Sequence, residues 1–170
     1  MPKIGLFYST ETGMTEGVAK MIAERMPGEL DVFMEITKAS VDDVASCDGL
    51  LIGMPTYGDG EMQEGWADFY PDLDSIDFSG KIVALFGLSD QVGYGHELVD
   101  GLRLLYDKFV ERGATMVGRW PTDGYDFSHS EAIVDGQFVG LVIDEQNQLD
   151  QTPEQVDAVF RPQARIRAPA

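Results

Sequence analysis

Ile4-Gly5-Leu6-Phe7-Tyr8-Ser9-Thr10-Glu11-Thr12-Gly13-Met14-Thr15 is the stretch on which the fold of this chain turns. An apolar run ends in a hydroxyl-rich turn, and behind the turn Met14, Val18, Met21 and Ile22 recur at the three-to-four spacing of an amphipathic helix. A strand, a turn and a helix start in that order offer an anion free backbone N–H groups, hydroxyl donors and the positive end of the helix dipole. Met14 stands where an ATP or GTP phosphate loop needs lysine. Gly13 is the turn's one glycine, where a dinucleotide fingerprint needs three. The pattern therefore points to a single terminal phosphate such as that of a mononucleotide. A Ser/Thr cluster ahead of a helix also serves as a plain N-cap, and the turn by itself leaves that alternative open.

Outward from this stretch, apolar runs alternate with helical patterns, which predicts an α/β fold with crossover helices. Strands are expected at residues 3–8, 30–36, 49–54, 81–88 and 115–118, the last resuming at 138–143 after a polar interruption. Helices are expected at 14–26, 40–44, 66–73 and 96–112, and at 153–160 behind the capping box Thr152-Pro153-Glu154-Gln155. Five strands joined in this way imply a doubly wound parallel sheet, with its ligand beyond the strand C-termini where the strand order switches. Residues 1–170 read as one domain, in which 161–170 form a loosely ordered basic tail.

Charge and cysteine content narrow the functions. The net charge is −18, and Arg161, Arg165 and Arg167 of the tail are three of only 12 bases, so the body is more acidic still. Such a surface excludes nucleic acid as a natural partner and steers the chain toward basic proteins. There is no apolar run near the length of a membrane span and no leader pattern, so no membrane association and a cytoplasmic location are expected. Cys47 is the single cysteine, which excludes an internal disulfide and argues against a zinc or iron–sulfur site; no metal is expected. His96 and His129 fall in no triad or metal spacing and read as surface or packing residues.

The loops expected at the strand C-termini share a composition. Pro55-Thr56-Tyr57-Gly58-Asp59-Gly60-Glu61 follows the third strand and Leu88-Ser89-Asp90-Gln91-Val92-Gly93-Tyr94-Gly95 closes the fourth. Tyr57 and Tyr94 could flank one flat ring from both sides, or simply cover loop backbone. Gly58 tolerates positive φ, so the peptide joining it to Asp59 can flip and aim its C=O at a nearby donor, or form a simple Gly-Asp turn that does not switch. A flavin gains such a donor at N5 on taking up one electron and one proton, which would stabilise a neutral semiquinone. Asp90 could accept from a pyrimidine-like N–H. Asp59, Glu61, Glu64 and Asp90 would together oppose a further negative charge and hold the hydroquinone at low potential.

With these residues assembled, the chain resembles flavodoxins over nearly its whole length. The motifs are Thr10-x-Thr12-Gly13-x-Thr15, then Pro55-Thr56-Tyr57-Gly58-Asp59-Gly60, then Asp90-Gln91-Val92-Gly93-Tyr94. Phe78-Ser79-Gly80-Lys81 and Thr122-Asp123-Gly124-Tyr125 are similar to the long-chain subgroup, in which an insertion splits the fifth strand, and the likeness is greatest to the nitrogen-fixation type. The resemblance implies a flavodoxin-like sheet of order 2-1-3-4-5, an architecture that is itself the standing example of FMN bound at the switch point. It also implies FMN as cofactor. Ser9, Thr10, Glu11, Thr12, Gly13, Met14 and Thr15 would hold its phosphate, and Thr56 would lie near the ribityl chain. Tyr57 and Tyr94 would flank the isoalloxazine, Asp90 would meet its pyrimidine edge, and the Gly58 carbonyl would be the redox-dependent acceptor. Pro55, Asp59, Gly60, Leu88, Ser89 and Gly93 complete the implied site. Many relatives carry tryptophan where Tyr57 stands.

The function implied is a one-electron carrier cycling between semiquinone and hydroquinone, without substrate turnover of its own, and expected as a monomer. Its donor would be a flavodoxin or ferredoxin NADP reductase and its acceptor the nitrogenase iron protein or another metalloprotein. Two alternatives stand beside it. An FMN-dependent NAD(P)H:quinone oxidoreductase would need room for a nicotinamide inside a ring of acids. A receiver-like signalling domain would need paired acids after the first strand, where this chain has Ser9 and Thr10.

Overall fold

An apolar run with no polar alternation must be covered on both faces, and the first strand, β1 (Ile4–Tyr8), is buried at all five positions. The computed structural model describes residues 3–9, 14–24, 30–55, 64–88, 100–117, 120–121, 133–134 and 136–143. Behind β1 comes helix α1 (Met14–Glu24), followed by β2 (Val32–Glu35) and β3 (Gly49–Pro55). Between β2 and β3 lies the short α2 (Val41–Ala45), opened by a capping box in which Ser40 Oγ accepts from Asp43 N–H and the Asp43 carboxylate accepts from Ser40 N–H. Helix α3 (Glu64–Phe69) precedes β4 (Ile82–Leu88), and α4 (Asp100–Glu111) precedes β5 (Thr115–Val117).

The strands pair in parallel in the order β2-β1-β3-β4-β5, as the resemblance implies. Since β1 lies between β2 and β3, the chain reverses its direction of winding there, and the C-terminal ends of β1 and β3 border the switch point. Two apolar layers sandwich the sheet. On one face Ile4, Leu6, Leu51 and Phe86 meet Val18, Ala19 and Ile22 of α1. On the other Phe7, Leu50, Ile52 and Leu85 meet Val44, Trp66, Leu102, Leu105 and Phe109, contributed by α2, α3 and α4.

The expectations need three corrections at element boundaries. The strand expected to reach Ile36 stops at Glu35, and Ile36–Lys38 turn as a 3-10 helix that buries Ile36. The helix expected over 66–73 is α-helical only to Phe69. Pro71 has no N–H to donate to the carbonyl four residues back, and Tyr70–Ser75 tighten into a 3-10 helix with the proline near its start.

The third correction concerns the fifth strand. Its two halves do share β4: β5 pairs with Ile82, Val83 and Ala84, while the later strand pairs with Phe86, Gly87 and Leu88. That later strand is Leu141–Ile143 only and begins three residues after the expected restart. Gln137–Phe138 instead belongs to a small antiparallel sheet with Trp120–Pro121 and Ile133–Val134, so in chain order these three are β6, β7 and β8, and Leu141–Ile143 is β9. The return to the main sheet runs through Gly140, where a Cβ would lie 2.3 Å from the carbonyl oxygen of Leu85. The expected helix at 153–160 and the tail 161–170 lie outside the described residues.

Candidate cofactor-binding site

The C-terminal end of β1 is built so that its last polar group faces inward. Ser9 continues the ladder one residue past the strand, donating its backbone N–H to the Gly53 carbonyl of β3 at 3.0 Å. Its side chain is buried at 1% exposure, as is that of Thr15 in the first turn of α1. Among the described residues neither Ser9 Oγ nor Thr15 Oγ1 has a hydrogen-bond partner. A buried hydroxyl left unpaired costs about 1 to 3 kcal/mol. Two of them, one just past the end of β1 and one in the first turn of α1, fit an acceptor supplied from outside the described residues. No lysine or arginine occurs between Tyr8 and Lys20, so the donors there are neutral ones, assisted by the free N–H groups and dipole of the 11-residue α1. This donor set suits a phosphate.

Beside the turn, Tyr8 is buried and its ring is tilted against Phe33 at 5.5 Å between centroids. Burial holds the Tyr8 phenol above its usual pKa, and the carboxylates of Glu16 and Glu35 push it further in the same direction. Glu16 is also paired with Lys20 one helical turn on, at 3.5 Å. The acidic side chain in the first turn of α1 is thus directed toward groups of the protein itself.

Of the residues expected at the site, the structure describes Ser9 just past β1 and Thr15 in the first turn of α1, both buried. Met14 opens α1, and Pro55 and Leu88 are paired at the ends of β3 and β4. These positions share the C-terminal edge of the sheet. Thr10, Glu11, Thr12, Gly13, Thr56, Tyr57, Gly58, Asp59, Gly60, Ser89, Asp90, Gly93 and Tyr94 lie outside the described residues, as do Glu61, His96 and His129. Among the described residues no group of three or more His, Cys, Asp or Glu side chains is placed to hold a metal ion. No helix among them is long and apolar enough to cross a membrane. Cys47, expected to be small and partly buried, is fully buried, with its thiol against the Asp43 carbonyl at 3.5 Å. Desolvation raises its pKa.

Two residues of this edge were not singled out from the sequence. Gly53 has the Phe86 ring where its own Cβ would be, at 2.1 Å, so only glycine fits at that point of β3. Trp66 is fully buried in α3 and donates its indole N–H to the Gly53 carbonyl at 3.0 Å. The signal available was a tryptophan in an apolar helical pattern, which reads as core. A side chain reaching back thirteen residues to one backbone oxygen leaves no periodicity to detect.

The family model described as Flavodoxin matches residues 6–158 of the chain. A flavodoxin of Synechocystis sp. is 49% identical over 153 residues, covering 89% of this chain and 90% of the relative. One of Nostoc sp. (strain PCC 7120) is 44% identical over 154 residues, covering 91% of each. The crystal structure of Fusobacterium nucleatum flavodoxin bound to flavin mononucleotide superposes with a TM-score of 0.89 at 34% identity, over 94% of this chain and 95% of that one.

Proposed function

The chain belongs to the flavodoxin family, and on that footing we propose that it is an electron-transfer protein holding FMN without a covalent bond. The observation that carries the reading is a pair of buried hydroxyls without a partner among the described residues, Ser9 past the C-terminal end of β1 and Thr15 in the first turn of α1, where β1 borders the switch point of the sheet. They fit the FMN phosphate in kind and in placement. FMN bound there would supply one-electron redox chemistry.

The residues have distinct tasks in this proposal. Ser9, Thr10, Thr12 and Thr15 donate hydroxyls to the phosphate. Glu11, Gly13 and Met14 carry the backbone that turns its N–H groups inward, and Thr56 lies beside the ribityl chain. Tyr57 and Tyr94 would exclude water from the two ring faces, and Asp90 would accept a ring N–H. Gly58 would let the peptide joining it to Asp59 turn its carbonyl toward the cofactor at little cost in backbone strain. Pro55, Asp59, Gly60, Leu88, Ser89 and Gly93 complete the walls, and the surrounding acids keep the potential low.

The finer proposals are that the whole chain is one domain with a basic tail, that it is monomeric and that it works in the cytoplasm. Its partners would be basic redox proteins: a flavodoxin or ferredoxin NADP reductase as donor, and a metalloprotein such as the nitrogenase iron protein as acceptor. The net charge of −18 supports basic partners, because long-range attraction would speed encounter with them.

The test is to add FMN to the apoprotein and follow quenching of flavin fluorescence, then reduce the complex stepwise while recording absorption. Stoichiometric quenching with reduction in two resolved one-electron stages is expected. No quenching would end the cofactor assignment. Rapid NADPH oxidation with a quinone and no added reductase would replace the carrier by an oxidoreductase.

A further inference from the structure

The Gly53 carbonyl receives two hydrogen bonds from different parts of the chain: Ser9 N–H from β1 and the Trp66 indole N–H from α3, each at 3.0 Å. The first carries the β1–β3 ladder one residue past β1, to Ser9. The second ties the end of β3 to α3, the two elements that residues 56–63 join. Gly53 has little freedom to shift between them, since the Phe86 ring occupies the place of its Cβ on one face of the sheet while Trp66 sits in the apolar layer on the other. Trp66 is itself held by an edge-to-face contact with Phe69, at 5.9 Å and 84° between ring planes.

The geometry points to Trp66 as a positioning residue for the cofactor: its indole N–H sets the backbone at the Ser9–Gly53 junction and so sets FMN affinity, without touching FMN. This rests on the FMN reading above. The indole is already fully buried, and its bond spans thirteen residues of sequence, so it fixes the base of the site at little further cost in side-chain ordering. If the N–H is lost, the Gly53 oxygen still accepts from Ser9, so no orphaned carbonyl is created. The change is confined to the loss of one buried neutral bond, whose net worth allows up to roughly a fivefold effect on Kd when FMN binding has to restore the backbone placement that the bond holds in the apoprotein.

The test compares two near-isosteric replacements of Trp66 in a Trp120→Phe background, leaving position 66 as the sole tryptophan site. One is 5-fluorotryptophan, which keeps the N–H, and the other is 3-benzothienylalanine, which has sulfur in its place. Trp66→Phe serves as a third, genetically encoded variant. FMN Kd is measured at 25 °C, together with the melting temperature of each apoprotein and the potentials of the bound flavin. The expected result is an FMN Kd roughly fivefold higher for the benzothienyl protein and for Trp66→Phe, with the fluorotryptophan protein binding as the parent does. A bond serving stability alone would lower the apoprotein melting temperature and leave Kd and potentials at the parent values, and that result overturns the assignment. Absence of FMN binding by the unaltered chain would overturn the cofactor reading and this assignment together, whereas tight binding by all the proteins overturns this one alone.

Discussion

Replacing Ser9 by alanine and Thr15 by valine in one protein should move stability and affinity in opposite directions. Both side chains are 1% exposed and neither hydroxyl has a partner among the described residues, so the apoprotein carries two desolvated polar groups. Removing them at nearly constant shape relieves about 1 kcal/mol or more per site, and the melting temperature of the apoprotein should rise by about 2 to 4 °C for each kcal/mol. The same hydroxyls are each worth about 1.5 to 3 kcal/mol when they donate to a charged phosphate. Losing both should weaken FMN binding by at least about 3 kcal/mol, or roughly two orders of magnitude. Riboflavin has the ring and ribityl chain of FMN but no phosphate, and its Kd should stay within about twofold of the parent value. The assay is fluorescence quenching of both flavins by parent and double-variant apoproteins, alongside thermal unfolding followed by circular dichroism. Equal weakening of the two flavins, or an apoprotein that melts lower than the parent, would refute the assignment of these hydroxyls to the phosphate.

Gly17 lies exposed in α1 with nothing within 4 Å of where a Cβ would be, so Gly17→Ala should raise unfolding free energy by about 0.5 to 1 kcal/mol in urea titrations. Gly140→Ala should act oppositely, because its Cβ would meet the Leu85 carbonyl oxygen of β4 at 2.3 Å; a loss of at least about 2 kcal/mol is expected in the same titrations, and a neutral result would contradict the described return to the sheet. Tyr8 titrates above its usual value in the folded state, so its contribution to stability is complete below about pH 10 and disappears as pH rises through the folded pKa. Urea midpoints recorded between about pH 8 and 11 should therefore fall less steeply for Tyr8→Phe than for the parent.

The alternation of apolar runs with helical patterns was enough to establish an α/β class, because burial on both faces of a parallel sheet and on one stripe of a helix leaves a mark in the residue order itself. The same holds for the Ser40 cap, and the hydroxyls and missing lysine of residues 9–15 are likewise a signature written in the residue order, on which the phosphate proposal draws. What three-dimensional packing alone decided are relations between residues far apart in the chain. It decided that the fifth strand returns at Leu141 and not at Phe138, because the turn at Gly140 has to pass the Leu85 carbonyl. It decided that Phe86 forbids a side chain at Gly53, and that the Trp66 indole finishes the hydrogen bonding of that carbonyl. It also decided that the two hydroxyls of Ser9 and Thr15 are buried yet unpaired. The reason is physical: periodicity encodes which face of an element is apolar, whereas steric exclusion and the pairing of one donor with one acceptor depend on which elements end up side by side.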